Sequence, residues 1–211
     1  MDKKNNCDER WPFLRNKHLS RFKDEMAKGL VDEDIREFLY TLNSNKCIAT
    51  TSSCSGRIVV IAAKDPHDKA SSSFLFKKHD KVSVFELKSL IKQAEKVPYD
   101  YIWLSVQPLI ISMYVCGAHN ANVIYNLFSS IGFKYTCIRR MKKLSNVYHI
   151  MIYGTERLDI PIIFKRTLLI NDSAEALERL ALLVNTFISF TKNKLEKLKR
   201  TAHIVNMMVS C

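Results

Sequence analysis

Along the first part of the chain, Leu14, His18, Phe22 and Met26 recur at helical spacing over 13–28, and Gly29 stands where a C-terminal glycine belongs, which predicts a helix. Asp32, Glu33 and Asp34 load the start of a second helix over 32–43, whose stripe Ile35, Phe38, Leu39 and Leu42 ends at Asn43. Apolar runs at 47–49 and 57–63 predict buried strands, and 74–76 a short one. Ser83 and Glu86 have capping-box spacing and open a helix with Leu87, Leu90, Ile91 and Ala94 on its apolar face. Strands over 101–106 and 109–115 bracket Gln107-Pro108, and a helix marked by Ala121, Ile124, Leu127, Phe128 and Ile131 closes at Gly132. Two more strands, 133–139 and 147–153, flank a basic loop. Pro161 confines the run 160–164 to an edge or a strand start, because it cannot donate to a ladder. The last element is a long helix over 173–200 with Leu177, Leu180, Ala181, Val184, Ile188, Leu195 and Leu198 on one broad face.

Strands and helices are mixed without strict alternation, which assigns the α+β class: a single domain with a mixed, largely antiparallel sheet flanked by helices and a long C-terminal helix. The glycines are scattered at Gly29, Gly56, Gly117, Gly132 and Gly154, so no glycine-rich dinucleotide loop exists and a Rossmann-type, doubly wound fold is not expected. With 211 residues, 47% of them hydrophobic, the chain can bury a substantial core. One domain is expected over 11–211, and the polar residues 1–10 are expected to be disordered.

Charge narrows the partner. Lysine and arginine outnumber acidic residues for a formal net charge of +12, which favours an anionic partner, either nucleic acid or a membrane surface. No apolar run reaches the length of a span and the N-terminus lacks a signal-peptide core, so a soluble cytoplasmic protein with no membrane partner is expected. Cys7, Cys47, Cys54, Cys116, Cys137 and Cys211 contain no CxxC pair, which argues against a zinc knuckle and a disulfide framework and predicts reduced thiols, mostly in the core. His67, His119, His149 and His203 have no ligand spacing, and no metal site is expected.

The stretch with the most chemistry reads Thr50-Thr51-Ser52-Ser53-Cys54-Ser55-Gly56-Arg57, between two apolar runs. This places a hydroxyl-rich turn at a sheet end. Small side chains leave backbone N–H groups unshielded, Gly56 permits positive φ, and Arg57 offers a planar donor fork, a combination suited to an anionic or carboxylate-bearing ligand. The competing reading is an ordinary Ser/Thr-rich hairpin loop, since turns select these residues anyway.

Residues 50–58, ending in Ile58, resemble the Thr-Thr-Ser-Ser-Cys-Ser-Gly-Arg-Ile signature of the tRNA wybutosine-synthesizing protein 3 family. Further segments are similar to the family's pattern: the lead-in ending at Asn43, Phe74-Leu75-Phe76-Lys77-Lys78-His79-Asp80, Leu158-Asp159-Ile160-Pro161, and Asn185. Together they cover about 14–200. The sequence departs from the family at Phe74, where tryptophan is typical, at Gln107, where glutamate is usual, and at Thr136-Cys137-Ile138, where Ser-Gly-Ile is common. The resemblance implies a methyltransferase that uses S-adenosylmethionine to methylate ring nitrogen N4 of the wyosine precursor, 7-aminocarboxypropyl-demethylwyosine, beside the anticodon of phenylalanine tRNA, in wybutosine biosynthesis. The partner it implies is therefore phenylalanine tRNA carrying a partly modified wyosine base.

Methyl transfer requires alignment of the acceptor nitrogen and removal of its proton. His79 has the right unperturbed pKa for that base, or else caps its strand or binds phosphate; Asp80 is the substitute base or orients the imidazole. Ser52, Ser53 and Ser55 are expected to hold the donor's carboxylate or ribose, with Arg57 pairing the carboxylate or a tRNA phosphate. Cys54, with no histidine within a few residues, reads as a structural thiol. Lys77, Lys78, Arg139 and Arg140 are expected to contact the tRNA backbone if they share a face, and Phe74 to stack on the splayed-out base. Two alternatives from other classes are a non-catalytic basic RNA-binding module of the same fold and a membrane-surface adaptor using the lysine-rich last helix.

Overall fold

The computed structural model of the chain describes residues 7–65, 67 and 69–211. The expected N-terminal disorder lies outside the described residues for positions 1–6, whereas 7–10 are among those described. Asp8 is buried, accepts hydrogen bonds from the Arg10 side chain and from Ser145 N–H (2.7 Å), and those bonds, Arg10 foremost, hold its carboxyl far below the usual carboxylate range. A charged residue here has a long-range partner, Ser145, that composition does not reveal.

Internal contacts divide the chain into two compact units, one formed by residues up to Ser55, Leu109–Thr155 and Asn193–Cys211, the other by Gly56–Pro108 and Glu156–Lys192. Every strand pairing in both is antiparallel, so the expected sheet is in fact two sheets.

The first unit opens with α1 (Trp11–Ala27), which has Pro12 in its first turn, where a missing N–H costs nothing, and buries Trp11 and Phe22. Gly29 follows at φ 66°, the left-handed value the sequence assigns to it. The second helix is shorter than expected: a 3₁₀ turn over Glu33–Ile35 leads into α2 (Arg36–Ser44), which buries Phe38, Leu39, Leu42 and Asn43. Four strands, β1 (Ile48–Thr50), β5 (Ile110–Cys116), β7 (Val147–Tyr153) and β6 (Tyr135–Arg140), pair in that order. Side chains alternate along β7: Ile150 and Ile152 are fully buried in the core, while His149 and Met151 lie half-buried on the other face. Helix α4 (Ala118–Ser130) and α6 (Ala202–Met208) add Ile124, Phe128, Ala202 and Val205 to this core. Helix α6 is absent from the sequence-based expectation, which ends its last helix at 200.

The cysteines are also corrected here. Cys7 pairs with Cys116, and Cys47 with Cys211, while Cys54 and Cys137 take part in neither disulfide. The partners are 109 and 164 residues apart, a separation at which spacing carries no signal.

The second unit is a five-stranded sheet in the order β3 (Ser72–Lys78), β2 (Arg57–Ala63), β4 (Tyr101–Gln107), β8 (Leu158–Phe164), β9 (Thr167–Leu168). One face, carrying Ile58, Val60, Ala62, Ile102, Leu104 and Val106, packs on α3 (Val84–Ala94) and on Leu177, Ala181, Val184 and Ile188 of the long helix α5 (Ala174–Lys199). Ser83 and Glu86 form the capping box expected of them. Strand β9 pairs only with Ile163 and Phe164, so β8 is an edge strand at Pro161, where the missing donor is tolerated. Among the described residues, no helix is long and apolar enough to cross a membrane. The α+β class, antiparallel pairing and long C-terminal helix are as the sequence indicates.

Candidate functional site

The stretch 50–58 crosses from one unit to the other between Ser55 and Gly56. It is not a hairpin turn: β1 pairs with β5, whereas β2 pairs with β3 and β4. Something other than hairpin geometry must therefore account for its residues.

In the first unit, the stretch is anchored at its start by Asn43. That side chain accepts the Thr50 N–H at Oδ1 (2.8 Å) and donates from Nδ2 to Thr50 Oγ1 (2.7 Å), with both residues buried. Past Thr50 the backbone stays tied to β5. Thr51 N–H donates to Ser112 O at 2.8 Å, and Cys54 and Ile110 exchange backbone hydrogen bonds of 2.8 and 2.9 Å. Ser112 also binds the stretch through side chains, receiving the Thr51 hydroxyl at 2.6 Å and donating its own N–H to Ser53 Oγ at 3.3 Å. Nε2 of His149, on β7, lies 2.7 Å from Ser112 Oγ. The His149 ring in turn lies 4.9 Å from the ring of Tyr114, which lies 5.0 Å from that of His18. Burial, and secondarily Arg139, lowers the His149 pKa; burial, then Lys17 and Arg21, lowers that of His18.

Of the predicted donor ligands here, Ser52 is exposed and Ser53 half-buried. Ser55 is fully buried and donates its backbone N–H to Asp32 Oδ2 at 2.8 Å. Arg139 and Arg140 are exposed on β6.

In the second unit, Gly56 sits at φ 87°, a conformation side chains rarely adopt, and its carbonyl receives His79 Nδ1 at 3.0 Å and Lys192 Nζ at 3.5 Å. A proton on His79 Nδ1 donated to that carbonyl leaves Nε2 as an acceptor. Asp80 is exposed and accepts Lys81 N–H at 2.7 Å. The segment after His79 is clamped to α5: Val82 N–H donates to Asn185 Oδ1 at 2.9 Å, and Asn185 Nδ2 donates back to Val82 O at 2.8 Å.

Arg57 opens β2 opposite Gln107 of β4 and donates from Nε to Gln107 Oε1 at 2.8 Å. Its guanidinium lies 5.2 Å from the centre of the Phe74 ring, which is 57% exposed and so available to a second flat group. Its partner is a neutral amide, and no carboxylate pairs with Arg57 among the described residues. Lys77 is exposed, whereas Lys78 pairs with Glu86 at 2.7 Å and with that hydrogen bond lowers the Glu86 pKa. The structure thus sets His79 on the Gly56 carbonyl at the start of β2, brings the Phe74 ring, from opposite Ile61, to the Arg57 guanidinium, and takes Lys78 into an ion pair.

Sequence reasoning set His149 aside for want of ligand spacing and did not consider Ser112 at all. The signal for Ser112 was visible, a hydroxyl inside the apolar run of β5, but its partners come from two other segments.

Comparison with known proteins agrees with the signature. The family described as methyltransferase TYW3 matches residues 13–203. A protein of Thermococcus sibiricus named tRNA(Phe) 7-((3-amino-3-carboxypropyl)-4-demethylwyosine(37)-N(4))-methyltransferase is 32% identical over 192 residues, which cover 91% of this chain and 94% of its own. One of two Pyrococcus furiosus proteins of the same name is 36% identical over 174 residues, covering 82% and 81%. The solved structure of the PH1069 protein from Pyrococcus horikoshii superposes with a TM-score of 0.81 at 29% identity, over 92% of this chain and 96% of that one. With the signature stretch intact and anchored, and likeness running almost end to end, the chain belongs to the TYW3 methyltransferase family.

Proposed function

We propose that this protein transfers a methyl group from S-adenosylmethionine to ring nitrogen N4 of 7-aminocarboxypropyl-demethylwyosine in phenylalanine tRNA. The observation that carries the reading is likeness over nine-tenths of the chain to a relative named for that reaction, with the signature stretch preserved. The residues present suit the donor. Arg57, held by the Gln107 amide, suits a carboxylate, and in the first unit exposed Ser52 and half-buried Ser53 carry hydroxyls of the kind that suits a ribose or an amino-acid end. The bound donor supplies a methyl group made electrophilic by a positive sulfur.

His79 is the base in this reading. Its Nδ1 is committed to the Gly56 carbonyl, so Nε2 takes the proton that the acceptor nitrogen gives up as it bonds to the methyl carbon, while the carbon–sulfur electrons return to sulfur. Asp80 is the substitute base. Phe74, backed by Arg57, is the stacking surface for the modified base, and Lys77, Arg139 and Arg140 are exposed cations suited to phosphates; Lys78, paired with Glu86, is the weaker candidate among them.

The test is transfer of labelled methyl from S-adenosylmethionine to phenylalanine tRNA that carries the aminocarboxypropyl group and lacks the N4 methyl. Label in that base is expected; label in wholly unmodified tRNA, or none in either, overturns the reading. His79→Ala should lower kcat by about 10²-fold or more with unchanged donor affinity, and full activity in that variant would remove His79 as the base.

A further inference from the structure

We propose that His149 is a positioning residue that, through Ser112, turns the Thr51 hydroxyl into a hydrogen-bond acceptor for the ammonium group of a bound aminocarboxypropyl moiety. The inference rests on the methyltransferase reading, because that chemistry brings such a group to the protein twice: on the methyl donor, and on the modified base named in the relatives.

Thr51 Oγ1 donates to Ser112 Oγ at 2.6 Å, and Ser112 Oγ stands 2.7 Å from His149 Nε2. A hydroxyl has one proton and two acceptor sites. With the ring neutral and protonated on Nδ1, Ser112 must give its proton to Nε2 and can only accept from Thr51. Thr51 then has no proton left for a ligand, and its half-buried oxygen presents lone pairs alone. An ammonium group, which carries only donors, fits that oxygen. Protonation of His149 lets the chain reverse: Nε2–H donates to Ser112 Oγ, the Ser112 hydroxyl, released from Nε2, donates to Thr51 Oγ1, and the Thr51 proton turns outward against the ammonium.

The surroundings hold His149 in the neutral form. Tyr114 faces it from β5 and Arg139 from β6, each at the opposing register position, and His18 of α1 lies beyond Tyr114 with Lys17 and Arg21 nearby. Burial first, and then the Arg139 charge, lower its pKa below the ordinary imidazole value. Ser112 is positioned to transmit the state because its N–H and C=O are already fixed to Ser53 and Thr51. The Thr51 oxygen therefore cannot drift away from the chain when the polarity changes.

The experiment is calorimetric titration of the full chain between about pH 5 and about pH 8 with S-adenosylhomocysteine, which carries the ammonium, and with 5′-methylthioadenosine, which does not. A second arm measures binding of phenylalanine tRNA with and without the aminocarboxypropyl group. Affinity for the ammonium-bearing probe should fall about tenfold as pH drops through the lowered His149 value, while its ammonium-free counterpart stays level. His149→Gln places a non-titrating acceptor near Nε2 and should keep the neutral-pH affinity while abolishing the pH dependence; Thr51→Val should lose about tenfold at neutral pH. A pH effect confined to the first arm assigns the ammonium to the donor, and one confined to the second assigns it to the tRNA. Normal binding with no pH effect in either arm, or an undiminished effect in folded His149→Gln, overturns the proposal alone. Failure of the wild type to bind either probe or tRNA overturns the methyltransferase reading as well.

Discussion

Asn43→Ala isolates what holds the signature stretch at its entrance. The native amide satisfies two polar groups of Thr50, its N–H and its Oγ1, and Thr50 is 2% exposed, so water does not replace the lost partner. Each buried polar group left without a partner costs about 1–3 kcal/mol. Thr50 can rotate its hydroxyl toward another acceptor, whereas its N–H is fixed by the strand, so the total should fall in the lower half of the sum, about 2–4 kcal/mol. For a chain of this size that is a fall in melting temperature of roughly 4–16 °C. Urea unfolding of wild type, Asn43→Ala, Thr50→Val and the double variant gives the coupling directly. If Asn43 acts through Thr50, the two changes should be less costly together than their sum by about 1 kcal/mol. Methyl transfer measured well below the melting temperature should also fall, because Thr51 follows Thr50 directly. A loss under about 0.5 kcal/mol, within the range of ordinary surface changes, would refute the reasoning.

Arg57→Ala should raise the dissociation constant for S-adenosylhomocysteine by about tenfold or more through loss of a charge-assisted hydrogen bond, with the Phe74 ring left uncovered; an unchanged constant would move the anion site elsewhere. Asn185→Ala leaves Val82 N–H and O without their partners and should speed amide exchange in 79–83 and reduce turnover, whereas unchanged exchange would show that α5 does not hold this segment. Ser83→Ala removes a capping box and should cost about 1 kcal/mol, read by thermal unfolding, with activity retained. The folded-state pKa of Asp8 is lowered, so its contribution is present above the unfolded carboxylate value of about 3.9 and is lost as pH falls below it. The stability difference between wild type and Asp8→Asn should therefore shrink on acidification from neutral pH, and a difference independent of pH would contradict the assigned cause.

Local physics was legible without coordinates. The apolar stripe of α2, the capping box of α3, the edge position of Pro161 and the left-handed glycine after α1 all follow from interactions within a few residues, and each stands where the sequence places it. The signature at 50–58 was equally legible, because an unusual run of small hydroxyl residues closed by Gly56-Arg57 is carried by the sequence itself. What the periodicity of 109–115 and 147–153 reports is that one face of each strand is buried; it is silent on which strands are neighbours and in what register. That pairing alone sets Ser112 beside Thr51 and His149, three residues from three segments, and the same holds for Cys47 with Cys211 and for Asp8 with Ser145. The division into two units was hidden for a related reason: the chain crosses between them at four points, none marked by a linker composition. Short-range patterns determined the elements and the family, whereas contacts between residues distant in the chain, whose formation depends on the whole core closing, decided which side chains share a site.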